Sequence, residues 1–137
     1  MTQPTSAQIV IVGGGIVGCS LAYHLTRLGV CEVVLLERRK LTSGTTWHAA
    51  GLVGQLRATQ NLTRLAQYTT ELFQGLEAET GQATGYVRTG SITAATHAER
   101  WQEIRRQASM ARGFGVEAEE IDPQDVLAYW QIGRAHV

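Results

Sequence analysis

The chain has 137 residues, with 12 basic and 12 acidic side chains and a formal net charge of zero. That length holds one domain of ordinary size, and 44% hydrophobic against 18% charged residues excludes a disordered chain, which combines low hydrophobicity with high net charge. Balanced charge also excludes a nucleic-acid binder built on a basic stripe, since Arg38-Arg39-Lys40 is too short to make one.

Residues 1–7 are polar. Ile9–Val12 is a β-branched apolar run that reads as a buried strand. It is too short and too glycine-rich in its continuation to span a bilayer, and no Lys or Arg precedes it as an export signal requires. The expected location is therefore the cytoplasm, with no membrane contact. Gly13-Gly14-Gly15 breaks the strand. From Ile16 the period becomes helical, with Val17, Leu21, Leu25 and Leu28 on one face and Gly29 at the C-terminal cap. Glu32 to Glu37 reads as a second strand. Strand, helix and strand make a βαβ unit, and the right-handed crossover rule sets the strands parallel.

Residues 38–60 lack a period and form a long loop, a feature more often functional than not. Asn61 is positioned to cap a helix whose apolar face carries Leu62, Leu65, Ala66, Thr69, Leu72, Phe73 and Leu76, ending at Gly81. Tyr86 to Ala95 is a strand candidate. Thr96-His97-Ala98-Glu99 has the form of a capping box for a helix with Trp101, Ile104, Ala108 and Ala111 inward, stopping near Gly113. Val116 to Ile121 reads as a strand, and Pro123 after Asp122 starts a last short helix.

The glycines carry the chemistry. Gly13-x-Gly15-x-x-Gly18 follows a strand and opens a helix, and Glu37 ends the second strand about 20 residues further on. Gly13 allows a tight turn, Gly15 lets the backbone approach a pyrophosphate, and Gly18 lets the helix pack on the strand. Gly14 lies between them in the same turn. The helix N-terminus offers N–H groups and a positive dipole end to the phosphates, and Glu37 is placed to accept hydrogen bonds from ribose hydroxyls. The pattern specifies a dinucleotide; NAD and FAD share it. Glu37 disfavours the 2′-phosphate of NADP, against which Arg38 and Arg39 would have to act.

Two cysteines and four scattered histidines provide neither a disulfide framework nor a zinc site. Cys19 and Cys31 read as small buried apolar groups. No metal site is expected.

With VVLLERRKLTSGTTWHAAGL, the chain resembles the N-terminal part of the dimethylglycine and sarcosine dehydrogenases, in the D-amino-acid-oxidase-like branch of FAD oxidoreductases. The resemblance covers about residues 8–130, and the TSGTTWHAAGL stretch is its specific part. It implies FAD as cofactor and oxidation of the C–N bond of an N-methylated amine such as sarcosine or dimethylglycine. Hydride would pass to the flavin, and the iminium product would hydrolyse or pass to a folate carrier in the full-length protein. His48 matches the histidine that carries the flavin covalently through its 8α-methyl group; the alternative is a loop imidazole bonded to backbone. Thr45 and Thr46 would donate to the pyrophosphate or simply form turns. Trp47 would shield the flavin edge or pack in a core. Arg57 would meet a substrate carboxylate or stand in solvent. No catalytic base and no electron acceptor are assigned. An NAD-dependent dehydrogenase leaves the Trp47-His48 loop without a role, and a noncovalent FAD amine oxidase or a non-catalytic nucleotide-binding piece are the other readings.

The expected fold class is α/β, a Rossmann-like FAD-binding βαβ unit followed by the start of a mixed α+β substrate domain. Its parts are 8–60, the βαβ unit and flavin-attachment loop; 61–131, a helix of the FAD domain and the beginning of the substrate domain; and 132–137, an adapter-derived tail. The hexapeptide Ile132-Gly133-Arg134-Ala135-His136-Val137 matches the translation of a short-read library adapter, so Arg134 and His136 carry no functional weight. A doubly wound sheet needs more than two parallel strands. The chain is therefore expected to be a truncated N-terminal part that binds FAD weakly and does not turn over alone.

Overall fold

The first strand and its crossover follow from the sequence pattern residue by residue. In a computed structural model that describes residues 5–129, β1 (Ile9–Val12) pairs in parallel with β2 (Val33–Leu36), Ile9 opposite Val33 and Ile11 opposite Leu35. Between them α1 (Ile16–Arg27) packs on both strands. The expected second strand is trimmed at each end, because Glu32 and Glu37 lie outside the ladder.

The face that α1 turns to the sheet differs from the expected one. Gly18 is buried, and Ala22 and Leu25 are half-buried one and two turns later, whereas Val17, Leu21 and Leu28 are exposed. The reason is close packing: a Cβ built on Gly18 would run into the carbonyl of Gly13 and lie 3.4 Å from Ile11 Cγ2, so the helix approaches the strand through its smallest residue. At its other end α1 stops in a Schellman arrangement. Val30 N–H donates to the Leu25 carbonyl at 3.0 Å and Gly29 N–H to the Thr26 carbonyl at 3.0 Å, with Gly29 at φ +86.

The chain divides into two compact units, Met1–Leu52 and Val53–Val137. In the second, α2 (Gln60–Thr80) is capped by Thr59, whose Oγ1 accepts from Leu62 N–H at 3.3 Å. Asn61 is therefore inside the helix and caps nothing. Thr63, Ala66 and Thr70 form the buried stripe of α2, while Leu62 and Leu65 are exposed, so the inward face lies to one side of the leucines. Gly81 ends the helix at φ +72, as its position predicts.

The helix α3 (Ala98–Gly113) is capped by His97, whose Nδ1 accepts from Arg100 N–H at 3.3 Å; Thr96 is one residue too early. Ala108 and Ala111 are buried, Ile104 is half-buried and Trp101 is exposed. A second Schellman arrangement closes α3, with Val116 N–H on the Ala111 carbonyl at 2.8 Å and Gly115 at φ +77. Gly113 stays helical. Gln67 Nε2 donates to the Gly115 carbonyl at 3.1 Å, tying α2 to this turn.

Neither predicted strand of the second unit forms among the described residues, so the mixed α+β expectation is corrected there to helices joined by extended chain. Tyr86–Ala95 is interrupted by a three-residue turn, Thr89 N–H to the Val87 carbonyl at 3.0 Å, and by Gly90 at φ +75. Residues 116–121 find no ladder partner, and a strand without one leaves its backbone unpaired. The last helix, α4 (Val126–Tyr129), starts after a turn in which Asp125 N–H donates to the Asp122 carbonyl at 2.9 Å, later than Pro123 suggests. No described helix is long and apolar enough to cross a membrane. The 132–137 tail lies outside the described residues.

Candidate functional site

The first unit brings the glycine turn, the end of β2 and the loop after it to one place. Gly13 sits at φ +109, a conformation that only glycine adopts without strain, and its N–H extends the ladder to the Leu36 carbonyl at 2.8 Å. Gly14 N–H donates to Glu37 Oε2 at 2.8 Å. A Cβ on Gly14 would lie 2.5 Å from Leu41 Cδ2, the end of an exposed side chain that can move, and 3.0 Å from Glu37 Cβ, so a side chain there would crowd the turn. Gly15 is the extended residue before α1, and a Cβ there would lie 3.1 Å from Thr46 Oγ1.

Thr46 is thus nearer to the helix than its sequence position suggests. Its Oγ1 accepts from Ile16 N–H at 2.9 Å, across 30 residues, and so satisfies the first free donor of α1. Because a hydroxyl both accepts and donates, Thr46 keeps its own proton as a donor beside this bond. Thr42 makes a second tie, its N–H donating to the Gly14 carbonyl at 2.8 Å. Thr42 stands at φ +65, a left-handed conformation that costs a β-branched residue about 1–3 kcal/mol. The loop from Leu41 to His48 is therefore folded back onto the glycine turn by two threonines.

Glu37 accepts two backbone N–H bonds, from Gly14 and from Arg39 at 2.9 Å. These, the Gly14 bond first, hold its carboxyl below the ordinary range for glutamate, with a smaller contribution from the positive charge of Arg38. The carboxylate stays ionised and keeps acceptor capacity, having about four lone-pair sites of which these bonds use two. Arg38 itself is exposed and acts on Glu37 through its backbone and its charge.

Thr45 to His48 form one 3₁₀ turn, Thr45–His48, with Thr45, Trp47 and His48 exposed. His48 Nδ1 lies 3.2 Å from the Gly44 carbonyl. A carbonyl only accepts, so Nδ1 carries a proton here, and in the neutral ring the lone pair falls to Nε2. The indole of Trp47 lies against this ring, centroids 4.6 Å apart and tilted by 51°. Trp47 is 69% exposed, which sets aside the core-packing reading within this unit.

Of the expected residues, Gly13, Gly14, Gly15, Gly18, Glu37 and Thr46 converge directly, while Arg38, Thr45 and His48 sit at the exposed rim of the same turn and loop. Arg57 belongs to the second unit. Thr42, Leu41 and Cys19 were not anticipated. Cys19 Sγ lies 3.5 Å from the Gly14 carbonyl and is half-buried, whereas Cys31 is exposed, contrary to its expected burial. Nothing in the local sequence marks Thr42, since its role depends on where the loop returns.

Comparison with known proteins gives the family. Residues 8–136 match the family of FAD dependent oxidoreductases known as DAO. The chain is 39% identical to sarcosine dehydrogenase, mitochondrial, of Mus musculus over 130 residues, covering 94% of this chain and 14% of that protein. It is 43% identical to dimethylglycine dehydrogenase, mitochondrial, of Rattus norvegicus over 120 residues, covering 88% of this chain and 14% of that protein. It is 42% identical to the pyruvate dehydrogenase phosphatase regulatory subunit, mitochondrial, of Mus musculus over 133 residues, covering 97% of this chain and 15% of that protein. The chain thus spans about one seventh of the length of the relatives it matches. With a match that runs over nearly all of its residues, the chain belongs to the DAO family of FAD dependent oxidoreductases.

Proposed function

We propose that the chain is the FAD-binding N-terminal part of an oxidoreductase that oxidises the C–N bond of an N-methylated amine of the sarcosine or dimethylglycine type, with the flavin held covalently by His48. The residues present fit the dinucleotide. No atom lies within 4 Å of where a Gly13 side chain would stand, so the turn is open on that side. The first-turn amides of α1 beyond Ile16 have no acceptor within the helix and are the donors a pyrophosphate would use, joined by the hydroxyls of Thr46 and Thr45. Gly18 holds the helix at the approach this needs, and Glu37 keeps lone pairs for the ribose hydroxyls, with Arg38 beside it.

FAD supplies a two-electron acceptor when bound. The observation that carries the reading is the loop folded onto the glycine turn with a histidine at its end. In the neutral ring the Gly44 carbonyl favours the Nδ1–H tautomer of His48, leaving Nε2 as the nitrogen that would hold the flavin's 8α-methyl carbon, that methyl group losing a proton while the flavin ring itself takes up the two electrons. Loss of hydride from the substrate's N-methyl carbon gives an iminium ion that water converts to formaldehyde and the demethylated amine, whereas loss from the α-carbon gives one that water converts to the 2-oxo acid and the methylated amine. A folate carrier is the alternative acceptor of that carbon in a protein of the relatives' length. The electron acceptor and the catalytic base are not assigned to residues of this chain. The chain alone is expected to bind FAD weakly and not to turn over. The cytoplasm is the proposed compartment, against the word "mitochondrial" in the relatives' names, and a fluorescent fusion imaged with organelle markers tests it.

A second reading has one observation behind it: the likeness to a phosphatase regulatory subunit suits a non-catalytic role for the same nucleotide-binding fold. Thermal-shift titration separates the readings, because a ligand that binds only the native state must raise its apparent stability. FAD is expected to raise the unfolding midpoint while NAD and NADP leave it unchanged. Equal stabilisation by NAD would move the activity to a nicotinamide dehydrogenase, and no stabilisation by any of them would favour the non-catalytic role.

A further inference from the structure

Beside the buried stripe of Ala108 and Ala111, α3 carries a polar face. Gln102, Arg105, Arg106, Ser109 and Arg112 recur at helical spacing and share it. Together with Glu120 they line a pocket of about 410 Å³. That is room for about thirteen waters at roughly 30 Å³ each, and it falls within the roughly 300–1,000 Å³ of small-molecule sites. The facing wall is the extended chain after α3. Arg112 holds it by donating to the Ala118 carbonyl at 3.1 Å, and Arg105 by donating from Nε–H to Glu120 Oε2 at 3.0 Å.

Three arginines face one carboxylate here, so the lining carries two positive charges in excess. Glu120 is shared, its second oxygen lying 3.8 Å from Arg112. Neighbouring carboxylates are engaged elsewhere: Glu103 accepts from Arg100 at 2.6 Å and from Gln107 at 3.3 Å, and Glu117 accepts from Arg88 at 3.1 Å. Among the described residues the side chains of Gln102, Arg106 and Ser109 make no hydrogen bond or ion pair, and Arg105 has only its Nε–H in use. An arginine presents five N–H donors in a planar fork that matches phosphate. The whole fork of Arg106, the terminal amines of Arg105, the Gln102 amide and the Ser109 hydroxyl are therefore unspent donors around one concavity. A cleft lined by one sign of charge concentrates the opposite ion. A dianion balances the excess of two, whereas a single carboxylate leaves one positive charge over.

We propose that this pocket binds the dianionic phosphate of a small soluble phosphomonoester, with Arg106 and the terminal amines of Arg105 on the phosphate oxygens and Gln102 and Ser109 donating at its edge. Glu120 repels an anion, so the phosphate sits toward the Arg106 end while Arg112 and Glu120 hold the wall. The site lies in the second unit, uses no residue of the glycine turn, and stands without the amine-oxidising reading.

The test is an NMR titration of the isotope-labelled chain with inorganic phosphate and with glycerol 3-phosphate, at ionic strength held constant with sodium chloride. It is followed on the Nε–H groups of Arg105 and Arg106 and the Ser109 amide, with the Gly13 to Ile16 amides read in parallel because the glycine turn also offers donors to phosphate. Both probes are expected to give saturable shifts on α3, the ester binding at least as tightly as the ion. Arg106→Gln should weaken binding by about tenfold or more, the scale of a lost charge-assisted bond, and Arg106→Lys by less, since a point charge replaces the fork. Arg64→Gln removes the same charge from an exposed position on α2 outside the pocket and should leave binding within about twofold, because salt screens exposed charges beyond about 10 Å. Arg106 is exposed, and unchanged Ala108 and Ala111 resonances verify that its variants fold. Shifts that do not saturate, or equal weakening by Arg64→Gln and Arg106→Gln, overturn the proposal as a diffuse charge effect. Binding of inorganic phosphate without the ester overturns it as an adventitious ion only. A response confined to Gly13 to Ile16 places the phosphate at the dinucleotide turn and overturns it. Binding to vesicles containing phosphatidic acid, with none of the soluble ester, overturns it in favour of a membrane surface.

Discussion

Glu37 Oε2 accepts a hydrogen bond from the Gly14 amide at 2.8 Å although 23 residues separate the two. The bond joins the end of β2 to the middle of the glycine turn, so the carboxylate expected to receive the ribose also sets the turn that receives the phosphates. Its carboxyl is held below the ordinary range by the Gly14 bond first and the Arg39 bond second. A carboxylate with a lowered folded-state pKa stabilises the native state above its unfolded value and loses that contribution as pH falls through the folded value. The Gly14 amide resonance should therefore titrate with a midpoint below that of a free glutamate, and Glu37→Gln should abolish the transition. A midpoint at or above the ordinary value would contradict the bond.

Gly18 and Gly75 should respond in opposite directions to the same substitution. A methyl group on Gly18 would run into the Gly13 carbonyl, whereas nothing lies within 4 Å of the corresponding position on Gly75, inside α2. Gly18→Ala is expected to destabilise by about 1–3 kcal/mol through overpacking, and to weaken FAD binding. Gly75→Ala should stabilise by about 0.5–1 kcal/mol through the lower entropy cost of alanine in a helix. Urea midpoints at constant slope measure both.

Thr63 is the buried clamp of the second unit. In Thr63→Val the shape is kept, but Arg57 N–H loses its acceptor. A buried donor left unsatisfied costs about 1–3 kcal/mol. Chemical denaturation should show that loss, and hydrogen exchange should show the Arg57 amide opening first. No change in either would mean that water replaces the hydroxyl.

Thr46→Ala should fray the start of α1, because Ile16 N–H loses its acceptor. Loss of a capping oxygen costs about 1 kcal/mol in helix stability. Faster exchange at Ile16 with unchanged exchange at Leu25 is the expected pattern.

The βαβ unit was legible because each part of it is local. A β-branched run, a change from period 2 to period 3.6, and a glycine after the last helical turn mark it without reference to anything distant. The glycine fingerprint was legible for the same reason. The two reach-back bonds, Thr42 to Gly14 and Thr46 to Ile16, were not, since any threonine in a long loop has the same sequence appearance. Caps were placed within two residues: Thr59 and Asn61 are both good capping types, and the backbone conformation of residue 59 decides between them. Gly113 and Gly115 differ only in which one takes positive φ. The inward faces of α1 and α2 were misplaced because Gly18 and Thr63 make close or hydrogen-bonded packing that hydrophobicity does not register.

The most direct test of the central claim is to denature the FAD-loaded protein, digest it and locate the flavin by mass spectrometry. The account predicts flavin retained on the peptide that contains His48, bonded through Nε2, and released into solution by His48→Ala. Flavin that leaves the unmodified protein completely on denaturation would contradict the tether and return the loop to a noncovalent site.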